Sequence, residues 1–210
     1  MSKEVKLHYF LGRGRAETTR WMLAINQISF NNIPITTPED LIELRGSGKL
    51  PFDQMPLLEI NGMNLSQSSG MIRYLARIGG FYGDNDKEAL YCDMFAGAIT
   101  DFAEASMQAA FQPSNEIAVK MLEERFNKFA PKFELRIKEN GSEFCVGKKI
   151  SFADIILTEA LSSYLEWIPD LLKNTPLLLS IYEKVINQTG IKLYLSSELR
   201  YPKPSQKYVI

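Results

Sequence analysis

The chain reads as a mixed α/β domain over residues 1–80 and an all-helical domain over 87–210, joined by a linker at 81–86. Three observations predict this. Short runs of β-branched, aromatic and alternating apolar residues occur only in the first third. The stretch Gly79 to Asp86, Gly-Gly-Phe-Tyr-Gly-Asp-Asn-Asp, is dense in turn formers. Almost everything beyond it reads as helix.

Val5-Lys6-Leu7-His8-Tyr9-Phe10 is a first strand. Gly12, Arg13, Gly14 and Arg15 break it. Ala16 to Asn26 follows as a helix, with Ala16, Thr19, Met22, Leu23 and Ile25 near one face. Ser29 to Pro34 is a second strand. Pro38-Glu39-Asp40 opens a short helix through Leu44, and Gly46 and Gly48 end it. Leu57 to Ile60 and Met63 to Leu65 flank Asn61-Gly62, the signal for a type I′ hairpin. Ser68 to Ile78 is a helix stopped by Gly79-Gly80. The order β-α-β-α-β-β-α predicts a thioredoxin-like sheet with a parallel start and an antiparallel finish. Helices are then expected over 87–111, 115–139, 151–166 and 177–188, with a short one over 191–199. Ser151-Phe152-Ala153-Asp154 forms an acidic capping box ahead of Ile155-Ile156-Leu157.

Composition narrows the function. Lys plus Arg number 24 and Asp plus Glu 25, so no charge excess points to nucleic acid or an acidic membrane surface. No run approaches the ~20 apolar residues of a membrane span. The N-terminus runs straight into a strand without a signal-peptide pattern, and a cytoplasmic location is expected. The 2 cysteines, Cys92 and Cys145, lie far apart and make neither a disulfide framework nor a Cys-x-x-Cys pair. The 1 histidine, His8, excludes a multi-histidine metal cluster, and no metal is expected. His8 alternates with Tyr9 along the strand and is expected on its other face, as packing or rim.

Chemistry concentrates elsewhere. Tyr9 brings a hydroxyl to the end of a buried strand, with Arg13 and Arg15 close behind and a helix N-terminus that favours anions. Pro56 cannot donate to a sheet and belongs at a strand's first residue or an edge. Gln67-Ser68 sets an amide and a hydroxyl at a helix start, a good carboxylate site. Leu7-His8-Tyr9-Phe10 with Arg13-Gly14-Arg15-Ala16-Glu17 resembles the start of the cytosolic glutathione transferases, most closely the tyrosine-using alpha, mu, pi and sigma classes. The resemblance extends over nearly the whole chain.

The resemblance implies roles. Tyr9 would hydrogen-bond the sulfur of glutathione, and Arg15 would add positive field. Arg45 would bind the glycine carboxylate, with Gln54 at the same end. Met55, ahead of a cis Pro56, would hold the cysteinyl backbone as an added strand. Gln67 and Ser68 would take the γ-glutamyl carboxylate, and Asp101 would reach the γ-glutamyl amine from a neighbouring subunit. Phe10, Gly12, Met107 and Phe111 would line the site for the hydrophobic electrophile. Phe52 matches an aromatic key and Met94 part of its lock, which implies a homodimer.

The chain also departs from the alpha pattern. Lys128 stands where an arginine is expected, and Ser69 where an arginine stacks across a twofold axis. Arg200-Tyr201-Pro202-Lys203-Pro204 cannot continue a helix, so the ending is similar to the sigma class and the pocket is expected to be more open. No cysteine opens the first helix, which argues against thiol–disulfide chemistry. Conjugation of glutathione to hydrophobic electrophiles, serving detoxification, is the function implied, with peroxidase activity as a companion. The rivals are a glutathione-dependent isomerase of the prostaglandin D synthase type and a hydrophobic-ligand carrier or crystallin-like protein.

Overall fold

The computed structural model describes residues 4–203. A 4-stranded sheet is built from β1 (Lys6–Phe10), β2 (Asn31–Ile35), β3 (Leu57–Ile60) and β4 (Met63–Ser66), in the order β2-β1-β3-β4. β1 runs parallel to β2 and antiparallel to β3, and β3 is antiparallel to β4. This is the thioredoxin-like sheet that the element order implies. Asn61 (φ 52°) and Gly62 (φ 79°) both take positive φ, as a type I′ turn requires.

The helices are α1 (Glu17–Ile25), α2 (Pro38–Gly46), α3 (Ser68–Gly79), α4 (Asp86–Ala109), α5 (Asn115–Asn140), α6 (Phe152–Leu165), α7 (Pro176–Ile186) and α8 (Thr189–Leu195). Local chemistry sets their starts. The Asp40 N–H donates to Thr37 Oγ1 at 3.1 Å, and the Asp40 carboxylate accepts the Thr37 N–H at 2.9 Å, closing a capping box on α2. Several helix ends differ from the sequence expectation, those of α1 and α8 among them. α1 begins later because Gly14–Ala16 is a 3-10 turn opened by Gly14 at φ 41°. α8 stops at Leu195, where Ser196 and Ser197 turn their hydroxyls back onto the carbonyls of Lys192 (3.1 Å) and Tyr194 (2.8 Å). Serines that satisfy the backbone themselves favour helix ends.

The chain divides into 2 compact units, Met1–Leu75 with Thr189–Ile210, and Ala76–Gln188. In the first, Ile35, Leu44, Leu50 and Leu57 form a buried cluster, with Phe10, Leu41 and Met55 packed on it. α8, sequentially part of the helical half, belongs to this unit and packs on α1. Their approach is so close that a Cβ on Gly190 would lie 1.9 Å from the Ala24 carbonyl oxygen. A polar knot sits in the same region. Glu17 and Arg20 are 2% and 1% exposed and paired at 3.1 Å, and the Tyr194 hydroxyl donates to Glu17 at 2.9 Å.

The second unit is all helical. Tyr164 of α6 stacks on Phe102 of α4 at 4.4 Å between centroids and donates its hydroxyl to the Phe102 carbonyl at 2.7 Å. Asp154, fully buried, accepts the Ser151 N–H (2.8 Å), the Ser151 hydroxyl (2.7 Å) and the Cys145 N–H (2.6 Å). The Ser151–Asp154 pair thus caps α6 as its sequence implies. Burial pushes the Cys92 thiol up to about 11, and burial also raises the Cys145 thiol well above the ordinary thiol range. Both cysteines are therefore unionised near neutral pH. Among the described residues no helix is long and apolar enough to cross a membrane.

Candidate functional site

The site grows from breaks in regular structure. β1 ends at Phe10, and the chain turns through Gly12 (φ 152°) and Gly14 (φ 41°) before α1. That turn brings the Arg15 N–H to within 3.1 Å of the Tyr9 hydroxyl oxygen. A phenol oxygen that accepts one N–H keeps its own proton to donate elsewhere. A Cβ on Gly14 would sit 2.6 Å from the same oxygen, so the backbone approaches Tyr9 as closely as only glycine permits.

A cavity of about 470 Å³ opens beside this turn, lined by Arg15, Leu41, Arg45, Asp53, Gln54, Met55, Pro56, Gln67 and Ser68. Arg45, on the last turn of α2, donates from Nε to the Asp53 carbonyl at 3.4 Å. The Met55–Pro56 peptide is cis, and Pro56 lies just ahead of β3. Gln67 ends the hairpin in the left-handed region (φ 67°), and its carbonyl accepts the N–H groups of Gly70 (2.9 Å) and Met71 (3.1 Å). Its side-chain amide donates to Gln54 Oε1 at 2.7 Å, tying the two linings together. Ser68 is the first residue of α3, where the helix dipole is positive. The cavity thus joins two guanidinium groups and a helix N-terminus with one carboxylate, Asp53. That charge pattern suits a ligand with more negative than positive groups.

Of the residues singled out in the sequence, the structure brings Arg15, Arg45, Gln54, Met55, Pro56, Gln67 and Ser68 onto one cavity, with Tyr9 bonded to its edge through Arg15. Leu41 and Asp53 also line it and were not singled out. Leu41 precedes Arg45 by one helical turn, so the i, i+4 spacing was a signal for it. Asp53 adjoins Gln54 but needs a positive φ (53°), which nothing local in the sequence announces.

The remaining candidates are placed as follows. Phe10 is half-buried on the Ile35–Leu57 cluster, edge-on to the Tyr9 ring at 5.5 Å. Gly12 is half-buried. His8 lies in β1 with its imidazole 2.7 Å from Glu59, a carboxylate that Lys49 also holds at 3.1 Å. In the second unit Asp101 is exposed on α4, and its carbonyl accepts from Arg125 at 3.0 Å. Met107 is half-buried on α4, whereas Phe111 lies in the turn beyond that helix, exposed. Phe52 and Met94 are 65% and 59% exposed. Pro204 and the tail to Ile210 lie outside the described residues.

A thioredoxin-like sheet beside a cavity that gathers Arg15, Arg45 and the start of α3, joined in sequence to a set of long helices, defines a class of two-part α/β and all-helical proteins. Comparison with known proteins specifies it. Residues 5–77 match the family model "Glutathione S-transferase, N-terminal domain" and residues 100–198 match "Glutathione S-transferase, C-terminal domain". The chain is 38% identical over 206 residues to glutathione S-transferase alpha M14 of Sus scrofa, covering 96% of this chain and 93% of that one. The glutathione S-transferase of Ascaris lumbricoides superposes with a TM-score of 0.79 at 30% identity, over 95% of this chain and 98% of that one. A monomeric glutathione S-transferase of Necator americanus gives 0.81 at 25% identity, over 93% and 97%. The chain belongs to the glutathione S-transferase family.

Proposed function

We propose that this enzyme activates the thiol of glutathione with Tyr9 and Arg15 and transfers it to hydrophobic electrophiles. Glutathione conjugation follows from family membership, and the curated relatives matched over the whole chain do not favour the isomerase or carrier readings. The observation that carries the residue assignment is the single cavity lined by Arg15, Arg45, Gln54, Met55, Gln67 and Ser68, with Arg15 bonded to Tyr9. In this reading the α3 N-terminus with Gln67 and Ser68 takes the γ-glutamyl carboxylate, and Arg45 the glycine carboxylate. The cysteinyl sulfur then falls at the Tyr9–Arg15 end.

A free thiol has pKa ~8.5, so only ~3% is thiolate at pH 7. A hydrogen bond from the Tyr9 hydroxyl, with a cation beside it, can lower that value by about two units, which takes ~2.7 kcal/mol. Ionisation would then approach roughly three quarters at neutral pH. Nucleophilicity falls along with pKa, with a Brønsted slope of ~0.4–0.5, so ionisation alone gains only a few-fold. Most of the acceleration must come from holding the electrophile against the sulfur. Phe10, Gly12, Met107 and Phe111 are the residues we assign to that task.

The finer class is also our reading. A tyrosine-type glutathione site is supported by the Tyr9–Arg15 contact, and a sigma-like ending by α8 stopping at Leu195 with no further helix through Lys203. We assign the protein to the cytoplasm as a homodimer using no metal. The test is turnover of 1-chloro-2,4-dinitrobenzene with glutathione, followed against pH for wild type and Tyr9→Phe. The expected result is a Tyr9→Phe profile displaced to alkaline pH with glutathione affinity kept. An unshifted profile removes Tyr9 from this role.

A further inference from the structure

Tyr9 and Arg15 meet across a turn carrying two glycines, and such a turn keeps its shape only if something grips it. The grip comes from the far end of the chain. Arg13 donates from Nε to the Tyr201 carbonyl at 2.7 Å, across 188 residues of sequence. The Tyr201 ring covers the Arg20 guanidinium, 4.8 Å from carbon to centroid. Arg20 itself donates from Nη1 to the Gly12 carbonyl (3.0 Å) and to Glu17 (3.1 Å), and from Nε to Asn32 (2.8 Å). The Asn32 amide then donates to the Leu199 carbonyl at 3.0 Å. The segment 199–201 therefore straps the Gly12–Arg13 turn from behind, and no residue of the strap lines the cavity.

We infer that Tyr201 is a positioning residue for thiol activation, acting through Arg13 and Arg20 on the turn that holds the Arg15 N–H against Tyr9. The inference rests on the Tyr9–Arg15 reading above. Charged donors make strong, directional hydrogen bonds, and a guanidinium stacked on a ring is held in plane. Without the ring, Arg20 loses its cover and the 201 carbonyl is free to swing from Arg13. The turn then samples conformations in which the Tyr9 hydroxyl and the Arg15 field no longer converge on one sulfur. Glutathione affinity should change little, because its carboxylate contacts sit on α2, the 53–56 loop and the start of α3.

The experiment uses full-length Tyr201→Ala, Arg13→Met, Tyr201→Phe and Tyr9→Phe. It reads kcat/KM against pH and the ultraviolet absorbance of the enzyme-bound thiolate. For Tyr201→Ala and Arg13→Met we expect kcat/KM about three- to tenfold lower near neutral pH, the loss narrowing above the free thiol's ~8.5. The KM for glutathione should stay within roughly twofold. Tyr201→Phe, which keeps ring and carbonyl, should match wild type. An unchanged thiolate titration in Tyr201→Ala, or in Arg13→Met if the former does not fold, overturns the inference, as does a loss that is uniform across pH. Tyr9→Phe separates the two claims. If it moves the titration while the strap variants do not, only the strap fails; if it moves nothing, the Tyr9 reading fails and the strap with it.

Discussion

Gly14 is constrained from two sides, by its own φ of 41° and by the Tyr9 hydroxyl that a Cβ would meet at 2.6 Å. The two constraints predict different things. A left-handed φ on alanine costs about 1 kcal/mol, which the fold can absorb. The contact falls on the proposed catalytic oxygen, and an ~1 Å displacement there can cost on the order of 100-fold. Gly14→Ala should therefore keep its circular dichroism while kcat/KM drops by about 10- to 100-fold. Wild-type turnover would show that the hydroxyl is not the group that matters. His8 makes a second residue-scale argument, about pH. Burial holds its imidazole below its ordinary 6.5, outweighing the hydrogen bond and charge of Glu59, while Lys49 and Lys6 push the same way as burial. Below pH 6.5 the unfolded chain then binds more protons at this site than the folded one, so stability falls as pH falls through that window. His8→Gln should flatten this part of the stability–pH curve measured by urea denaturation. A curve of unchanged slope would assign the dependence to other groups.

Elements show why some of this was legible and some was not. The hairpin at Asn61-Gly62 and the Ser151–Asp154 cap follow from residues within a few positions of each other, and both appear in the structure; Gln67 and Ser68, read the same way as a carboxylate site, lie together on the cavity. Removing the cap hydroxyl by Ser151→Ala should cost ~1 kcal/mol or more, since Asp154 is buried and would lose one of its donors. An unchanged thermal midpoint would contradict that. The placement of α8 was not legible. Its helical pattern is plain, but its neighbour, α1, lies far away in sequence, and the contact depends on a glycine whose importance only the packing reveals. A Cβ at residue 190 would press into the Ala24 carbonyl at 1.9 Å, a backbone atom with no rotamer by which to give way. Gly190→Ala should destabilise the protein by about 1–3 kcal/mol, lowering the thermal midpoint by roughly 2–10 °C. Arg20 and Glu17 were equally hidden, because a buried ion pair on one helix reads as two ordinary surface charges until its cover is known.

At the scale of the whole molecule the argument concerns assembly. One solved relative is described as monomeric, so the fold alone does not decide it. The surface of this chain does carry a bias. Leu90, Tyr91 and Met94 form an exposed apolar stripe on α4, and Phe52 is an exposed aromatic, 65% accessible, on the loop before the cis-proline. Large apolar groups clustered at a surface are costly in water and mark places that another surface covers. Asp101 follows Met94 by two helical turns and so shares its side of α4. A partner that covered the stripe would therefore lie next to Asp101, which fits the proposal that each subunit lends this carboxylate to the other's γ-glutamyl amine. An isologous dimer delivers both such contacts at once by symmetry. Phe52→Ser should then yield monomers in sedimentation velocity while the fold persists. The same variant should raise the KM for glutathione by roughly 10-fold, the worth of a charge-assisted hydrogen bond supplied in trans. Dimers persisting at low concentration would remove Phe52 as the key. Monomers with an unchanged KM would keep the key and take Asp101 out of the glutathione site.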